Sequence, residues 1–245
     1  MTKAKAKAAP AEPLKNAPLD IRAMLAKEAA ESASKISVSN NDRIKFMKGG
    51  TIVAPDGSEG SEFDVVILDF VSMNLYYDRP YQKDVIFPPA CFAIGESPST
   101  MVPSKNAPVK CADTCASCAF NQFESALVGK GKACKNTRLI AVAPIDAAAG
   151  EEPIWIASIP PTSIKPFDAY VSSLAVRHNT SPLGVVTTMY LDPASDFAAP
   201  RFKLARALGN EELEIFFAMR DSAKKRLFVE PDVSGYEAPV KKRGR

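Results

Sequence analysis

The sequence has little histidine and no long hydrophobic stretch. Its 245 residues include one histidine, His178, around which no Ser/His/Asp or Cys/His catalytic pairing can be assembled. Asp64, Asp69 and Asp84 are scattered along the chain, whereas a metal-dependent nuclease needs clustered carboxylates. We therefore expect a protein that is not an enzyme. No run of about 18 apolar residues is present, so we expect no membrane-spanning helix and no membrane partner.

Both ends of the chain are poor in bulky apolar residues. The N-terminus lacks the apolar region of a secretory signal, which favours the cytoplasm as the location. Residues 1–18 are mostly Ala, Lys and Pro and cannot bury enough apolar surface to offset the entropy of ordering. We predict a flexible basic tail there and a second one at residues 231–245, which end in VKKRGR. Residues 19–230 are predicted to form a single domain.

Hydrophobic periodicity predicts short strands and a few helices in that domain. The predicted strands are residues 43–47, 51–54, 63–77, 138–143, 154–159, 184–191 and 201–205. The predicted helices are residues 19–34, 163–178 and 210–225, the last one capped by Asn210. Short strands joined by Gly-rich turns predict a mainly β, α+β fold, built on a small barrel with flanking helices.

Residues 88–135 interrupt this pattern. The segment is rich in proline, glycine and polar residues, shows little periodicity and contains all five cysteines of the chain. An irregular stretch of this length inside a compact domain calls for a cross-link or a function. An odd number of clustered cysteines without an export signal favours a bound metal over disulfides, with buried inert thiols as the alternative.

The cysteine spacing predicts a structural zinc site. Cys115 and Cys118 form a C-x2-C motif, and Cys134 follows after fifteen residues, an ordinary distance to a second half-site. The spacing leaves open whether Cys91 or Cys111 supplies the fourth ligand. Four sulfur ligands would leave no coordination position for water, so the ion is expected to stabilise the fold and not to catalyse a reaction.

Several motifs resemble those of a family of small bacteriophage proteins. They are PPACFAIG from Pro88, Pro98-Ser99, Cys115-x2-Cys118, Asn121, GKGKAC ending at Cys134, Arg138-Leu139 and IPPTS from Ile159. This family is similar over about residues 35–225 and comprises zinc-containing proteins associated with single-stranded DNA binding or replication.

The resemblance implies a ligand set and a setting. It implies that Cys91, Cys115, Cys118 and Cys134 bind the zinc and that Cys111 is an additional thiol. It also implies action in phage DNA replication or recombination, in the cytoplasm of an infected bacterial host. Phage single-strand binders tend to end in an acidic tail that recruits replication proteins, whereas this chain ends in a basic one.

The residues themselves favour a nucleic-acid ligand. Between residues 101 and 140, six positive side chains are opposed only by Asp113 and Glu124. These six are Lys105, Lys110, Lys130, Lys132, Lys135 and Arg138. In the run Gly129–Lys132 the absence of glycine side chains lets backbone amides and lysines approach a phosphate together. Of these, Lys105, Lys130, Lys132, Lys135 and Arg138 are the predicted phosphate contacts.

Aromatic residues close to this basic segment could stack on bases. Tyr76 and Tyr77 place rings on both faces of a strand end, and Arg79 and Tyr81 follow, so we predict these four residues as contacts. Phe87, Phe92 and Phe123 are predicted to lie in the core.

These observations together predict an oligonucleotide-binding (OB)-like barrel with an inserted four-cysteine zinc loop. The expected function is binding of single-stranded DNA without sequence specificity. The alternative is a zinc-stabilised protein-interaction or transcription-regulating module that contacts a polymerase. Phage or host replication or transcription proteins are further expected partners.

Overall fold

The chain forms two units in this computed structural model, residues 1–41 and residues 42–245. The structure describes residues 21, 24, 28, 42–80, 82, 85–126, 129–147, 153–192, 195 and 197–239. In the first unit, the described residues Ile21, Met24 and Glu28 are all helical, in agreement with the helix predicted at residues 19–34. The rest of that helix and the predicted tail at residues 1–18 lie outside the described residues.

The described part of the second unit is dominated by one sheet. Its strands are β1 (Arg43–Met47), β2 (Thr51–Val53), β3 (Glu59–Gly60), β4 (Glu62–Tyr76), β5 (Cys91–Gly95), β6 (Cys134–Pro144), β7 (Trp155–Ile159), β8 (Val185–Leu191) and β9 (Pro200–Ala207). Their order is β3-β2-β1-β7-β6-β4-β8-β9, and β5 pairs with the second half of β4. Only β1 and β7 pair in parallel among these strands. The sheet curls into a half barrel, so the predicted mainly β, α+β class is confirmed.

Helices cover both faces of the sheet. Helix α1 (Pro161–His178) begins at a proline, whose fixed φ suits the first helical position, and ends at Asn179 in the left-handed conformation with φ of 48°. Its buried residues Phe167, Tyr170 and Leu174 pack against one face of the sheet. Helices α2 (Asn210–Ala218) and α3 (Arg220–Leu227) pack against the other face through Phe216, Ala223 and Leu227.

The long strand β4 contains a bulge, after which odd-numbered and even-numbered side chains change sides of the sheet. Ile67 pairs with Val142 and Asp69 pairs with Ala141, so Leu68 is the extra residue. Before the bulge, the odd-numbered residues of β4 face α1, and after it the even-numbered ones do, beginning with Phe70. Ser72, Asn74 and Tyr76 therefore extend the face that α1 covers.

Three predictions of secondary structure are wrong in detail. The segment 88–135 was expected to be irregular, but β5 lies within it and extends the sheet. The predicted single helix over residues 210–225 is divided at Met219 into α2 and α3. The cap of α2 is Gly209 and not Asn210, because the Glu212 carboxylate accepts the Gly209 N–H at 2.8 Å.

No helix in the described residues is both long and apolar enough to cross a membrane.

Candidate metal centre and nucleic-acid interface

Three adjacent strands place two cysteines on one face of the sheet. Tyr76 of β4 pairs with Cys91 of β5 on one side and with Cys134 of β6 on the other. Residues directly opposite each other in antiparallel strands share a face, so Cys91 and Cys134 lie in one row with Tyr76 between them. Because neighbouring strands lie about 4.8 Å apart, two strand spacings separate these cysteines.

The chain after β5 folds back along this strand and brings in further cysteines. The Phe92 carbonyl accepts the Ser104 N–H at 2.8 Å, and the Ala90 carbonyl accepts the Val109 N–H at 2.8 Å. Farther along, the Cys115 N–H donates to the Met101 carbonyl at 2.9 Å. These backbone hydrogen bonds position the segment that carries Cys111, Cys115 and Cys118 beside the row formed by Cys91 and Cys134.

Side-chain amides fix the C-x2-C motif. Asn121 lies in the short 3-10 helix Ala119–Asn121, and its side chain donates to the Cys115 carbonyl at 2.8 Å. Its backbone N–H donates to the Cys118 carbonyl at 3.0 Å. The Gln122 side chain donates to the same Cys118 carbonyl at 3.2 Å. The motif is therefore held by residues on its C-terminal side, which include the Asn121 that the sequence analysis singled out only by resemblance.

All five cysteines line one cavity of about 20 Å³, which has room for one water-sized particle. Every thiol is free, and the four predicted ligands Cys91, Cys115, Cys118 and Cys134 are 7–9% exposed. Cys111 is half-buried and hydrogen-bonded to Cys91. In the described part of the chain, no three His, Cys, Asp or Glu side chains are arranged so that they could hold a metal ion as they stand.

Burial and mutual proximity raise the pKa of three of these thiols, those of Cys111, Cys115 and Cys134. Burial, followed by the nearby Cys115, Cys118 and Cys91, raises the pKa of Cys134 to about 12, against an opposing effect of Lys132. Burial, followed by Cys91, raises the pKa of Cys111 to about 12. Burial also raises the pKa of Cys115, but a hydrogen bond from Asn74 favours its thiolate. A cluster of this kind is costly to ionise unless a cation joins it.

A ladder of polar residues leads from the cavity to α1. Asn74 is buried, and its Oδ1 accepts the Asn136 side-chain amide at 2.6 Å, which leaves the Asn74 NH2 group to donate to Cys115. Asn74 and Asn136 are directly paired on β4 and β6, and the next pair on this face is Ser72 with Arg138. This ladder was not predicted from the sequence.

Arg138 belongs to that ladder and is not available to a phosphate. It is 7% exposed, donates to Ser72 Oγ at 2.7 Å and donates to Asp168 Oδ1 of α1 at 2.6 Å. Its guanidinium also lies 5.8 Å from the centroid of the Phe70 ring. The predicted nucleic-acid contact at Arg138 is therefore corrected, because a buried, ion-paired guanidinium joins the sheet to a helix.

The aromatic residues at the end of β4 and on the loop after Cys118 form two groups. On the thiol face, the ring of Tyr76 stacks on Phe120, with centroids 4.2 Å apart and ring planes 17° from parallel. Lys132 Nζ lies 5.2 Å from the centroid of the Phe123 ring on the same loop. The second group is Tyr77 with Lys135 Nζ at 5.2 Å from its ring centroid, and Lys135 faces the opposite side of the sheet from Cys134.

The remaining predicted contacts have different surroundings. Lys105 and Lys130 are exposed. Arg79 is half-buried, lies 5.3 Å from the Phe87 ring centroid and donates to the Glu237 carbonyl. Tyr81 lies outside the described residues.

Of the phenylalanines predicted to lie in the core, one is buried and one is exposed. Phe92 is buried, as predicted, whereas Phe123 is 76% exposed, so its predicted core position is wrong. The spacing of Phe123 from the C-x2-C motif offered no signal of this exposure.

The described part of the C-terminal segment contacts the region that follows β4. The Tyr236 hydroxyl donates to Asp78 Oδ2 at 2.6 Å, next to the contact between Arg79 and the Glu237 carbonyl. Ser104 and Asn106 donate to the two carboxylate oxygens of Glu230 at 2.6 and 2.7 Å. The sequence analysis expected a tail from residue 231 onward. Residues 240–245 lie outside the described part of the chain.

Comparison with known proteins gives no relative from which a role could be transferred. No protein-family model, no curated protein and no solved structure matches this chain.

Proposed function

We propose that residues 42–239 form a zinc-stabilised module that binds single-stranded DNA without sequence preference. The observation that carries the proposal is that one loop, between Cys118 and Cys134, supplies walls of the thiol cavity and an exposed aromatic and basic surface. The role is one of binding and not of catalysis. The metal and nucleic-acid parts of the proposal have separate support and separate tests.

The donor set of the cavity fits a zinc ion. Four buried sulfurs are the ligands of a closed structural zinc site, and the cavity has room for one small ion. The ligands we propose are Cys91, Cys115, Cys118 and Cys134, with Cys111 as an additional thiol. In the described residues the cysteine side chains are not arranged to hold a metal ion as they stand. Zinc binding therefore requires the four sulfur atoms to move closer together and to lose their protons. A bound zinc ion would neutralise the thiolates and stabilise the loop.

The surface beside the cavity supports a polyanionic ligand. Lys110 is ion-paired with Asp113 at 2.8 Å and Arg138 with Asp168, so four of the six cations of this region remain for a ligand. These are Lys105, Lys130, Lys132 and Lys135, opposed by Glu124; of the four, Lys135 faces the opposite side of the sheet from Cys134. Lysines beside exposed rings are the combination that binds single strands, because the charges follow the phosphates and the rings accept bases of any sequence.

The finer fold prediction and the biological setting belong to the same proposal. The curvature of the sheet supports an OB-like barrel. The sheet has nine strands in the described residues, including the parallel pair β1–β7, whereas the OB-fold has five strands. A protein that binds unpaired strands regardless of sequence acts where duplexes are opened. From the resemblance of the sequence motifs to the bacteriophage family, we propose a role in phage DNA replication or recombination, within the infected bacterial cell.

Titration of a fluorescently labelled oligo(dT) tests the proposal. With three or four phosphate contacts, raising the salt concentration from about 50 to about 200 mM should weaken binding about 20- to 50-fold, because bound counterions are released on association. A duplex of the same length should bind more weakly. Absence of binding at low salt would refute the proposal. In that case, a partner protein captured after nuclease treatment would favour the alternative of a polymerase-contacting module.

A further inference from the structure

Phe123 is a large apolar side chain that the fold leaves outside its core. It is 76% exposed, and Phe120, three residues earlier, is 37% exposed although it stacks on Tyr76. Burial of a phenylalanine ring would stabilise the fold, so a ring that stays outside the core is available for a ligand. Lys132 Nζ lies over the ring at 5.2 Å from its centroid and also contacts Asn121 Oδ1 at 3.4 Å.

Hydrogen bonds within the loop hold Phe123 in place. The Glu124 N–H donates to the Lys130 carbonyl at 3.2 Å, and the Ala126 N–H donates to the Gly131 carbonyl at 3.1 Å. Ser125 Oγ donates to the Gln122 carbonyl at 2.6 Å and accepts the Ala133 N–H at 2.9 Å. These contacts flank Phe123 on both sides in sequence. The ring is thus presented by a hydrogen-bonded segment, residues 122–126, whose preorganisation lowers the entropic cost of binding.

We infer that Phe123 is the stacking platform for an unpaired nucleobase, with Lys132 and Lys130 beside it for the adjacent phosphates. This inference rests on the proposed function and specifies the ligand group that meets the surface. A base in a duplex has both faces stacked already, so a ring of this kind selects single strands. The neighbouring positive charges favour a nucleic acid over an apolar protein surface, because an apolar partner would have to desolvate two lysines.

Tryptophan fluorescence can report stacking at this position. The natural Trp155 is 8% exposed and gives a constant background, while Phe123→Trp places an indole on the loop. Addition of oligo(dT) should quench the Phe123→Trp emission, because a stacked base quenches indole. Phe217→Trp, at a position on α2 that is 63% exposed, is the matched control and should not respond. An abasic oligomer of equal length keeps the phosphates and should bind without quenching.

Phe123→Leu provides an independent measure, because it keeps an apolar side chain and removes the ring. Stacking contributes about 1–3 kcal/mol per base, so the affinity for oligo(dT) should fall about 5- to 150-fold while the melting temperature is unchanged. Phe123→Tyr should restore it.

Three outcomes would overturn the inference. They are unchanged affinity of Phe123→Leu, equal quenching by the abasic oligomer, and binding of oligo(dT) without quenching. Each of these leaves the proposed function standing, whereas failure of the unaltered protein to bind refutes both.

Discussion

The guanidinium of Arg138 donates to the carboxylate of Asp168 at 2.6 Å and thereby connects strand β6 to helix α1. Arg138 is buried, whereas the Asp168 side chain is 49% exposed. The contact ends the polar ladder that begins at the thiol cavity. Arg138 therefore stabilises the fold, whereas Lys105 and Lys130 of the same basic region face solvent.

Asp168→Ala should therefore lower stability without changing nucleic-acid affinity. The substitution leaves the buried Arg138 cation with the Ser72 hydroxyl and the Phe70 ring but without a counter-ion, which should cost about 1–3 kcal/mol of unfolding free energy. Urea unfolding measures the loss. The control Lys130→Ala, at an exposed position, should leave the unfolding midpoint unchanged. An equally stable Asp168→Ala variant would show that the ion pair has no net effect.

Removal of solvent-facing lysines should change the salt dependence of oligonucleotide binding. Each phosphate contact contributes about 0.7 to the slope of log affinity against log salt for a single strand. Lys130→Ala and Lys132→Ala should each reduce the magnitude of this slope by about that amount, and Lys110→Ala by less, because Lys110 is paired with Asp113. Equal slopes for the three variants and the natural protein would argue against phosphate contacts at the two loop lysines.

The protein should contain one zinc ion per chain after purification without chelators. Elemental analysis gives the stoichiometry, and loss of the ion should lower the melting temperature because the loop loses its cross-link. Cys134→Ser should abolish stoichiometric binding, since Cys134 is a proposed ligand. Cys111→Ser is the matched control and should retain one zinc. If Cys111→Ser loses the ion and Cys91→Ser keeps it, the ligand assignment is reversed.

Asn74→Ala should weaken metal binding, although Asn74 is not a ligand. Its amide donates to Cys115, and such contacts to a ligand typically account for about 10- to 100-fold in metal affinity. Asn136→Ala should have a smaller effect, because Asn136 acts only by orienting Asn74 through a 2.6 Å hydrogen bond. Competition with a chromophoric chelator measures both affinities. The ligand-field spectrum of the Co²⁺ form distinguishes an altered site from general destabilisation.

The C-terminal contact should be sensitive to alkaline pH. The hydrogen bond to Asp78 raises the pKa of Tyr236 to about 12 from its ordinary value near 10. A group with a raised pKa in the folded state stabilises it fully below about pH 10, and this contribution is lost as the pH rises towards about 12. The difference in ultraviolet titration between the natural protein and Tyr236→Phe isolates this residue. In Asp78→Asn the tyrosine should ionise at lower pH, and an unchanged titration would contradict the contact.

The sequence predicts the sheet well where burial determines the residue pattern. The run from Phe63 to Phe70 is nearly continuously apolar because both faces of β4 are covered by helices, and the strand extends to Tyr76, one residue before its predicted end. Strand β5 was missed because Pro88 and Pro89 precede it and its small residues give no period of two. Its position depends on pairing with β4, which is distant in sequence.

The site is predicted less completely for a related reason. The cysteine motif indicates which thiols belong together, and the cavity does contain all of them. The sequence does not indicate that Arg138 turns inward to meet Asp168 or that Phe123 turns outward, because both depend on neighbours brought in by tertiary folding. A count of basic residues treats a buried arginine and an exposed lysine alike.

The bulge at Leu68 makes the whole cavity depend on the length of one strand. Side chains alternate with a period of two, so deletion of one residue between Ile67 and Asp69 would invert everything that follows in β4. Asn74 and Tyr76 would then point towards α2 and α3, and the thiols would lose both the amide and the ring on their side of the sheet. A change several residues away from any cysteine would thus dismantle the centre, while conservative replacement of Leu68 itself would preserve it.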